Sequence, residues 1–157
     1  MFRGKPTKNR KVAVFGKRYY WGSEVTYPID SLPKSFREWC AANKYTGHNS
    51  ILVNVYTDAA DNIGWHMDDT RELAHGEVVS VSFAAHTQDR EKTLATMEFR
   101  WPNKSIPGTK TIKKEHLKHG TVVRFDAVKH KKKQCEHRVA KSPLPRVNVT
   151  MRRLSSA

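Results

Sequence analysis

Near its C-terminus the chain reads Arg146-Val147-Asn148-Val149-Thr150-Met151-Arg152, an unbroken alternation of polar and apolar side chains. Successive side chains of a strand point to opposite faces, so this segment fits a strand with one apolar and one polar face. The same style recurs upstream. Val12-Ala13-Val14-Phe15, Ile51-Leu52-Val53-Asn54-Val55-Tyr56, Val78 to Phe83, Thr96 to Trp101 and Thr121 to Phe125 are short runs rich in β-branched and aromatic residues. Turn-forming pairs fall between them: Asp61-Asn62, Pro102-Asn103, Pro107-Gly108 and His119-Gly120. Ser35 to Asn43, opened by Ser35, is the best helix candidate. Many short strands, one early helix and no βαβ alternation predict a mainly β chain with minor α, folded as a sandwich or barrel.

At 157 residues the chain amounts to about one ordinary domain, and a single unit over 1–157 is expected. Apolar residues make up 38% of it, enough for a core. The longest nearly apolar stretch, Val78 to Ala85, falls far short of the roughly 20 residues that span a bilayer. No charged start leads into an apolar segment at the N-terminus, so neither membrane insertion nor secretion is expected. Cys40 and Cys135 are too few for a disulfide framework. They suit a reduced intracellular setting, cytoplasmic or nuclear.

Twenty-nine Lys and Arg against fifteen Asp and Glu leave a net charge of +14. An imbalance of that size points to a polyanionic partner, above all nucleic acid, because phosphate contacts release condensed counterions. The charge is also unevenly spread. Residues 1–18 carry seven basic groups and no acid, and residues 129–153 carry nine basic groups and only Glu136. Residues 58–98 reverse this, with nine of the fifteen acids and three basic groups. A basic rim around an acidic centre suits a protein that holds a polyanion beside a cation. The run Lys129-His130-Lys131-Lys132-Lys133 reads either as a solvated loop or as a loop touching phosphates.

His66-Met67-Asp68 is the sharpest chemical feature. In an extended segment the imidazole and the carboxylate project to one side and can converge on one ion. His137 is placed to return a second imidazole. Two His and one carboxylate that leave the remaining positions open form the facial triad of non-haem Fe(II) oxygenases, whereas neither Cys has the neighbour that a structural zinc site prefers. On the last strand, Arg146 and Arg152 with Asn148 between them could line a slot for a small dicarboxylate, each guanidinium gripping a carboxylate. Asn54 and Tyr56, also two apart on a strand, could close its other side. The alternative for Arg146 to Arg152 is the polar outer face of an edge strand.

Taken together, Asn54-Val55-Tyr56, His66-Met67-Asp68-Asp69, Val79-Ser80-Val81-Ser82-Phe83, His137 and the complete RxNxTxR pattern from Arg146 to Arg152 resemble the AlkB-type dioxygenases. These are Fe(II)- and 2-oxoglutarate-dependent nucleic-acid demethylases. Val14-Phe15-Gly16-Lys17, Thr26-Tyr27 and Asp68 to Leu73 look most like the eukaryotic DNA-repair branch. The resemblance covers roughly residues 12–154.

It implies a double-stranded β-helix, or jelly roll, over about 48–154, preceded by an N-terminal extension and nucleotide-recognition lid over about 1–47. It implies that His66, Asp68 and His137 hold Fe(II). Arg146 would pair with the distal carboxylate of 2-oxoglutarate, near Asn148 and Tyr56, while Arg152 and Asn54 lie nearer the metal. With O2, the enzyme would hydroxylate an N-methyl carbon on a base such as 1-methyladenine or 3-methylcytosine in DNA or RNA. Formaldehyde, succinate and the restored base follow. The same chemistry on N6-methyladenine in RNA, or on a protein side chain, is the alternative. A monomer is expected.

The resemblance also implies base contacts. The target base must leave its stack, and His66 would form one wall of its pocket with Ile29 opposite. Tyr27 and Asp69 match positions at the base edge, and Phe15 matches a residue that wedges into the stack. For Phe15 and Tyr27 plain core packing is the alternative. The chain departs from the pattern in the short segment between Gly22 and Tyr27, in Ala84 to Asp89, and in having Ile29 where an aromatic is usual. These departures bear on base preference, not on the iron chemistry.

Overall fold

The computed structural model describes residues 10–19, 25–57, 63–140 and 144–156. Ten strands are described: β1 (Arg10–Gly16), β2 (Thr26–Tyr27), β3 (Ser50–Tyr56), β4 (Ile63–His66), β5 (Leu73–Ala84), β6 (Ala95–Pro102), β7 (Lys110–Leu117), β8 (Val122–Asp126), β9 (Glu136–Val139) and β10 (Arg146–Leu154). They form a six-stranded sheet, β2-β1-β3-β10-β5-β8, and a four-stranded sheet, β4-β9-β6-β7. All pairings are antiparallel except β1 with β2. The two sheets enclose a cavity between them, giving the mainly β sandwich expected from the strand pattern and the jelly roll that the resemblance implies.

The alternating segment sets the geometry. β10 is not an edge strand: it runs between β3 and β5 along nearly its whole length. Its polar side chains are not on an outer face either, for Arg146, Asn148, Thr150 and Arg152 are all buried. The outer-face alternative fails because both faces of this central strand are covered. One face carries Val149 and Met151 into a cluster with Leu32, Cys40, Ile51, Val79 and Val81. The other face points between the sheets.

Helix α1 (Lys34–Ala42) covers the apolar face. Phe36, Trp39 and Cys40 recur at helical spacing and present one stripe to the sheet. Pro33 rather than Ser35 occupies the N-cap position, so Ser35 falls within the first turn. A proline suits a helix start because the N–H it lacks would have had no partner inside the helix.

The Lys129–Lys133 run is not a loop. It lies largely within a second helix, α2 (Ala127–Lys132). Asp126 caps its N-terminus, accepting from the Lys129 backbone N–H at 2.9 Å. At the other end Gln134, with φ 54°, turns the chain out of the helix. The Gln134 and Cys135 amides donate to Lys131 and His130 carbonyls at 3.1 and 2.8 Å, a Schellman closure. Gly76 on β5 seats the cap: a Cβ there would lie 2.1 Å from Asp126 Oδ1. The turn foreseen at His119-Gly120 is present, with Gly120 at φ +80°. That foreseen at Asp61-Asn62 lies outside the described residues.

Candidate metal centre

His66 ends β4 and His137 lies on β9, and the two are direct cross-strand partners. Pairing brings their ring centroids to 4.3 Å. The chain then leaves the strand, and Asp68 turns its carboxylate under both rings. His66 Nε2 stands 3.7 Å and His137 Nε2 3.5 Å from Asp68 Oδ1. The three ligand atoms all lie within 4.8 Å of one another. Two imidazole nitrogens and one carboxylate oxygen, with no thiolate, suit a divalent iron-like ion that keeps open positions.

The surroundings prepare these donors. His66 Nδ1 donates to the Gly64 carbonyl at 2.8 Å, which leaves the lone pair on Nε2, toward Asp68. Burial lowers the His66 pKa, and the neighbouring His137 lowers it further, so the ring stays neutral and able to ligate. Burial alone would raise the Asp68 pKa. The Arg152 guanidinium and the His137 ring outweigh it and hold the carboxyl well below the usual range. Arg152 donates to Asp68 Oδ2 through Nε at 3.2 Å and Nη2 at 2.7 Å. His137 Nδ1 is buried without a hydrogen-bond partner among the described residues. Its ring is wedged between Phe99 and Phe125.

A cavity of about 540 Å³ opens onto the trio and is lined from both sheets. Its far wall is formed by Asn148, Thr150 and Arg152 of β10 with Asn54 and Tyr56 of β3. Register sets Asn148 beside Asn54 and Arg146 beside Tyr56. Arg146 itself is fully buried behind Tyr56 and is not one of the lining residues. The Arg146 guanidinium carbon lies 3.7 Å above the Tyr56 ring. Asn148 Nδ2 donates to Ser80 Oγ at 2.8 Å, and Thr150 Oγ1 donates to Asn148 Oδ1 at 3.0 Å, so the amide is held in place. Asn54 Oδ1 is buried with no hydrogen-bond partner among the described residues. The oriented Asn148 amide, the Asn54 amide and the Tyr56 ring line the same cavity as the metal trio, with the Arg146 cation buried against Tyr56. This set fits a small dicarboxylate that reaches toward the ion.

Of the base-contacting candidates, His66 lines this cavity and the others are not gathered here. Among the described residues, the cavity wall does not include Phe15, Tyr27, Ile29 or Asp69. Phe15 and Ile29 pack against the cluster under α1. Strand parity explains Phe15: it leaves β1 on the face opposite Arg10, Val12 and Val14. Tyr27 is about half exposed, with its ring 5.6 Å from that of Phe15. Asp69 sits beside the trio with its carboxylate held by Arg71, which lowers its pKa.

Arg10, Tyr19 and Trp65 are among the lining residues that the sequence did not single out. Arg10 reaches the cavity from β1, opposite Tyr56, although in sequence it is one of several basic residues near the N-terminus. Tyr19 is buried; its hydroxyl donates to the Asp69 carbonyl at 2.9 Å, and its ring lies 4.1 Å from the Arg152 guanidinium carbon. Trp65 carries the Arg100 and Arg138 guanidinium carbons over its ring at 4.1 and 4.6 Å. Period two gives a signal for Arg10, in step with Val12 and Val14; Tyr19 has none.

The model of the 2OG-Fe(II) oxygenase superfamily matches residues 9–154. Among characterised proteins, DNA oxidative demethylase ALKBH2 of Homo sapiens is 29% identical over 171 aligned positions, covering 92% of this chain and 61% of that protein. Its counterpart in Mus musculus is 37% identical over 95 positions, covering 48% of this chain and 39% of that protein. Alpha-ketoglutarate-dependent dioxygenase alkB homolog 3 of Mus musculus is 31% identical over 152 positions, covering 91% and 51%. The chain thus spans less than two thirds of each relative's length. With the matched model spanning nearly the whole chain and relatives of this kind, the protein belongs to the 2OG-Fe(II) oxygenase superfamily, among its AlkB-type members.

Proposed function

We propose that this chain is an Fe(II)- and 2-oxoglutarate-dependent dioxygenase that removes N-methyl groups from nucleic-acid bases, 1-methyladenine and 3-methylcytosine being the favoured substrates. The observation that carries this reading is one cavity with the His66, Asp68 and His137 trio at its head and the buried polar face of β10 as its wall. Bound Fe(II) supplies, with 2-oxoglutarate and O2, the oxidising power to hydroxylate a methyl carbon.

The residues do the rest. Asp68 stays ionised because Arg152 and His137 hold it so, and His66 stays neutral with Nε2 free to ligate. Arg146, with Tyr56 and Asn148 around it, receives the distal carboxylate of the co-substrate. Arg152 and Asn54 serve the metal-proximal end. Burial of this wall keeps water from the charged co-substrate and strengthens each contact. A nucleic-acid substrate also accounts for the +14 charge and implies an intracellular site of action, in cytoplasm or nucleus.

The test is loss of methyl groups, followed by mass spectrometry, from oligonucleotides carrying 1-methyladenine, 3-methylcytosine or N6-methyladenine as single-stranded DNA, duplex DNA and RNA. Fe(II) and 2-oxoglutarate are supplied, and His66→Ala is the control. Demethylation that the variant lacks is expected. Turnover confined to N6-methyladenine, or to a methylated peptide, would replace the proposed substrate. Activity surviving in His66→Ala would remove the metal trio from the mechanism.

A further inference from the structure

The basic run on α2 is not absorbed by the metal site or the co-substrate slot, yet its place in the fold is specific. β8 leads into α2, and α2 leads through Gln134 and Cys135 to β9 and the ligand His137. On its other side Lys131 Nζ lies 3.4 Å from Thr70 Oγ1, in the segment that follows the ligand Asp68. The helix therefore bridges the two ligand-bearing segments beside the metal trio.

Lys129, Lys131, Lys132 and Lys133 are all exposed there. Lys129 pairs with Asp126 at 3.8 Å, and Lys131 feels the charge of the Asp69 carboxylate. The nearby Asp69 carboxylate is already held by Arg71. The lysines are not needed to close the helix, since Asp126 and the Schellman turn satisfy its backbone ends. Lys129 stands three and four positions before Lys132 and Lys133, the spacings at which like charges on a helix repel. Four exposed cations in five positions, two of them with no acid among the described residues to balance them, are favourable against a row of negative charges. The seat is firm as well, because α2 is fixed to β5 through Asp126 over Gly76.

We propose that α2 is a backbone-docking ridge on which the phosphates of the substrate strand lie as the target base enters the cavity. This rests on the nucleic-acid reading above. The ridge reads charge spacing and not sequence, so it sets how tightly a strand is held without choosing the base. Its contribution exists only when the strand extends beyond the target nucleotide.

The experiment uses the full chain and its triple variant Lys131→Gln/Lys132→Gln/Lys133→Gln. A control variant, Lys44→Gln/Lys104→Gln/Lys118→Gln, removes equal charge from exposed positions elsewhere. Binding of a single-stranded oligonucleotide is measured by fluorescence anisotropy across a salt series. Turnover is measured on that oligonucleotide and on a trinucleotide carrying the same methylated base. The ridge variant is expected to bind about 10-fold or more weaker, with its salt slope reduced by about 2, as three lost phosphate contacts on a single strand require. Its KM rises on the long strand alone, kcat is retained, and its melting temperature does not fall. The control variant should show little of this.

Equal affinity and salt slope in the two variants would overturn the ridge, whatever the turnover. Poly-glutamate bound as tightly as the oligonucleotide would overturn nucleic acid as its occupant. Failure of the unaltered chain to demethylate even the trinucleotide would instead remove the proposed function, while a ridge-specific loss of binding would still stand.

Discussion

Arg152 joins the metal centre to its surroundings on two sides. Its guanidinium holds the Asp68 carboxylate and lies against the Tyr19 ring, whose hydroxyl in turn holds the Asp69 carbonyl. Removing one partner from a buried ion pair leaves the other charge uncompensated. Arg152→Met is thus expected to cost about 3–5 kcal/mol of stability and to weaken Fe(II) binding about 10–100-fold. Urea unfolding of the metal-free protein and anaerobic Fe(II) titration measure the two effects. Arg152→Lys should restore little, because an ammonium cannot both fork onto the carboxylate and lie flat on the ring. Tyr19→Phe keeps the ring and loses one hydrogen bond, an expected cost of about 1 kcal/mol. Tyr19→Leu loses the ring contact too, and Fe(II) affinity should then drop well below that of the Phe variant. Equal affinities would show that the ring does not position Asp68 through Arg152.

Among the described elements, the strands that resemble the segment from Arg146 to Arg152 and the one helix with an apolar stripe, α1, were legible, and the rest were not. β1, β3, β5, β6, β8 and β10 combine β-branched residues with at least one apolar face, so their sequences announce them. β7 (Lys110–Leu117) has charge on both faces and buries only Leu117 fully, so no period-two signal survives. β4 and β9 are too short to show a period, though they carry the two ligand histidines. α2 is hidden because a lysine run has no apolar stripe and its helix depends on Asp126 and Gly76, which meet only in the fold. The metal trio was nonetheless legible as residue types in order. The roles implied for Phe15 as a wedge and Ile29 as a pocket wall came from the resemblance alone, and both side chains pack against the core cluster under α1.

Two predictions belong at this scale. Gly76→Ala forces Asp126 off the Lys129 amide, so it should cost about 1 kcal/mol, the worth of an N-cap, and raise protease cleavage around α2. Wild-type cleavage and stability in that variant would show the seat to be unimportant. In the four-stranded sheet, Arg138 and then Lys114 lower the pKa of the buried Glu98. A carboxyl whose folded pKa is depressed stabilises above its unfolded value and loses that contribution as pH falls through the folded one. The melting temperature should therefore fall more steeply below about pH 4.5 in the wild type than in Glu98→Gln. Parallel pH profiles would mean the pair adds nothing.

For the whole molecule, the expected signature is stabilisation by what the cavity binds. A ligand present at 100 times its Kd adds about 2.7 kcal/mol, and a chain of this size gains about 2–4 °C per kcal/mol. Anaerobic Fe(II) with 2-oxoglutarate should accordingly raise the melting temperature by roughly 5–10 °C. His66→Ala should abolish most of that shift. An unchanged melting temperature in the wild type would mean that the cavity does not receive the pair.

The two histidines belong to the four-stranded sheet, while Asp68 is clasped by Arg152 from the six-stranded one. An ion held by all three acts as a rivet through the sandwich, and its coordination shell becomes a gauge of the gap between the layers. Swelling or tightening of that gap, even by substitutions at Met97 or Leu117, which are not themselves donors, would register first as altered metal retention. The chain's packing and its redox chemistry would then be inherited together, and drift in one would be felt in the other.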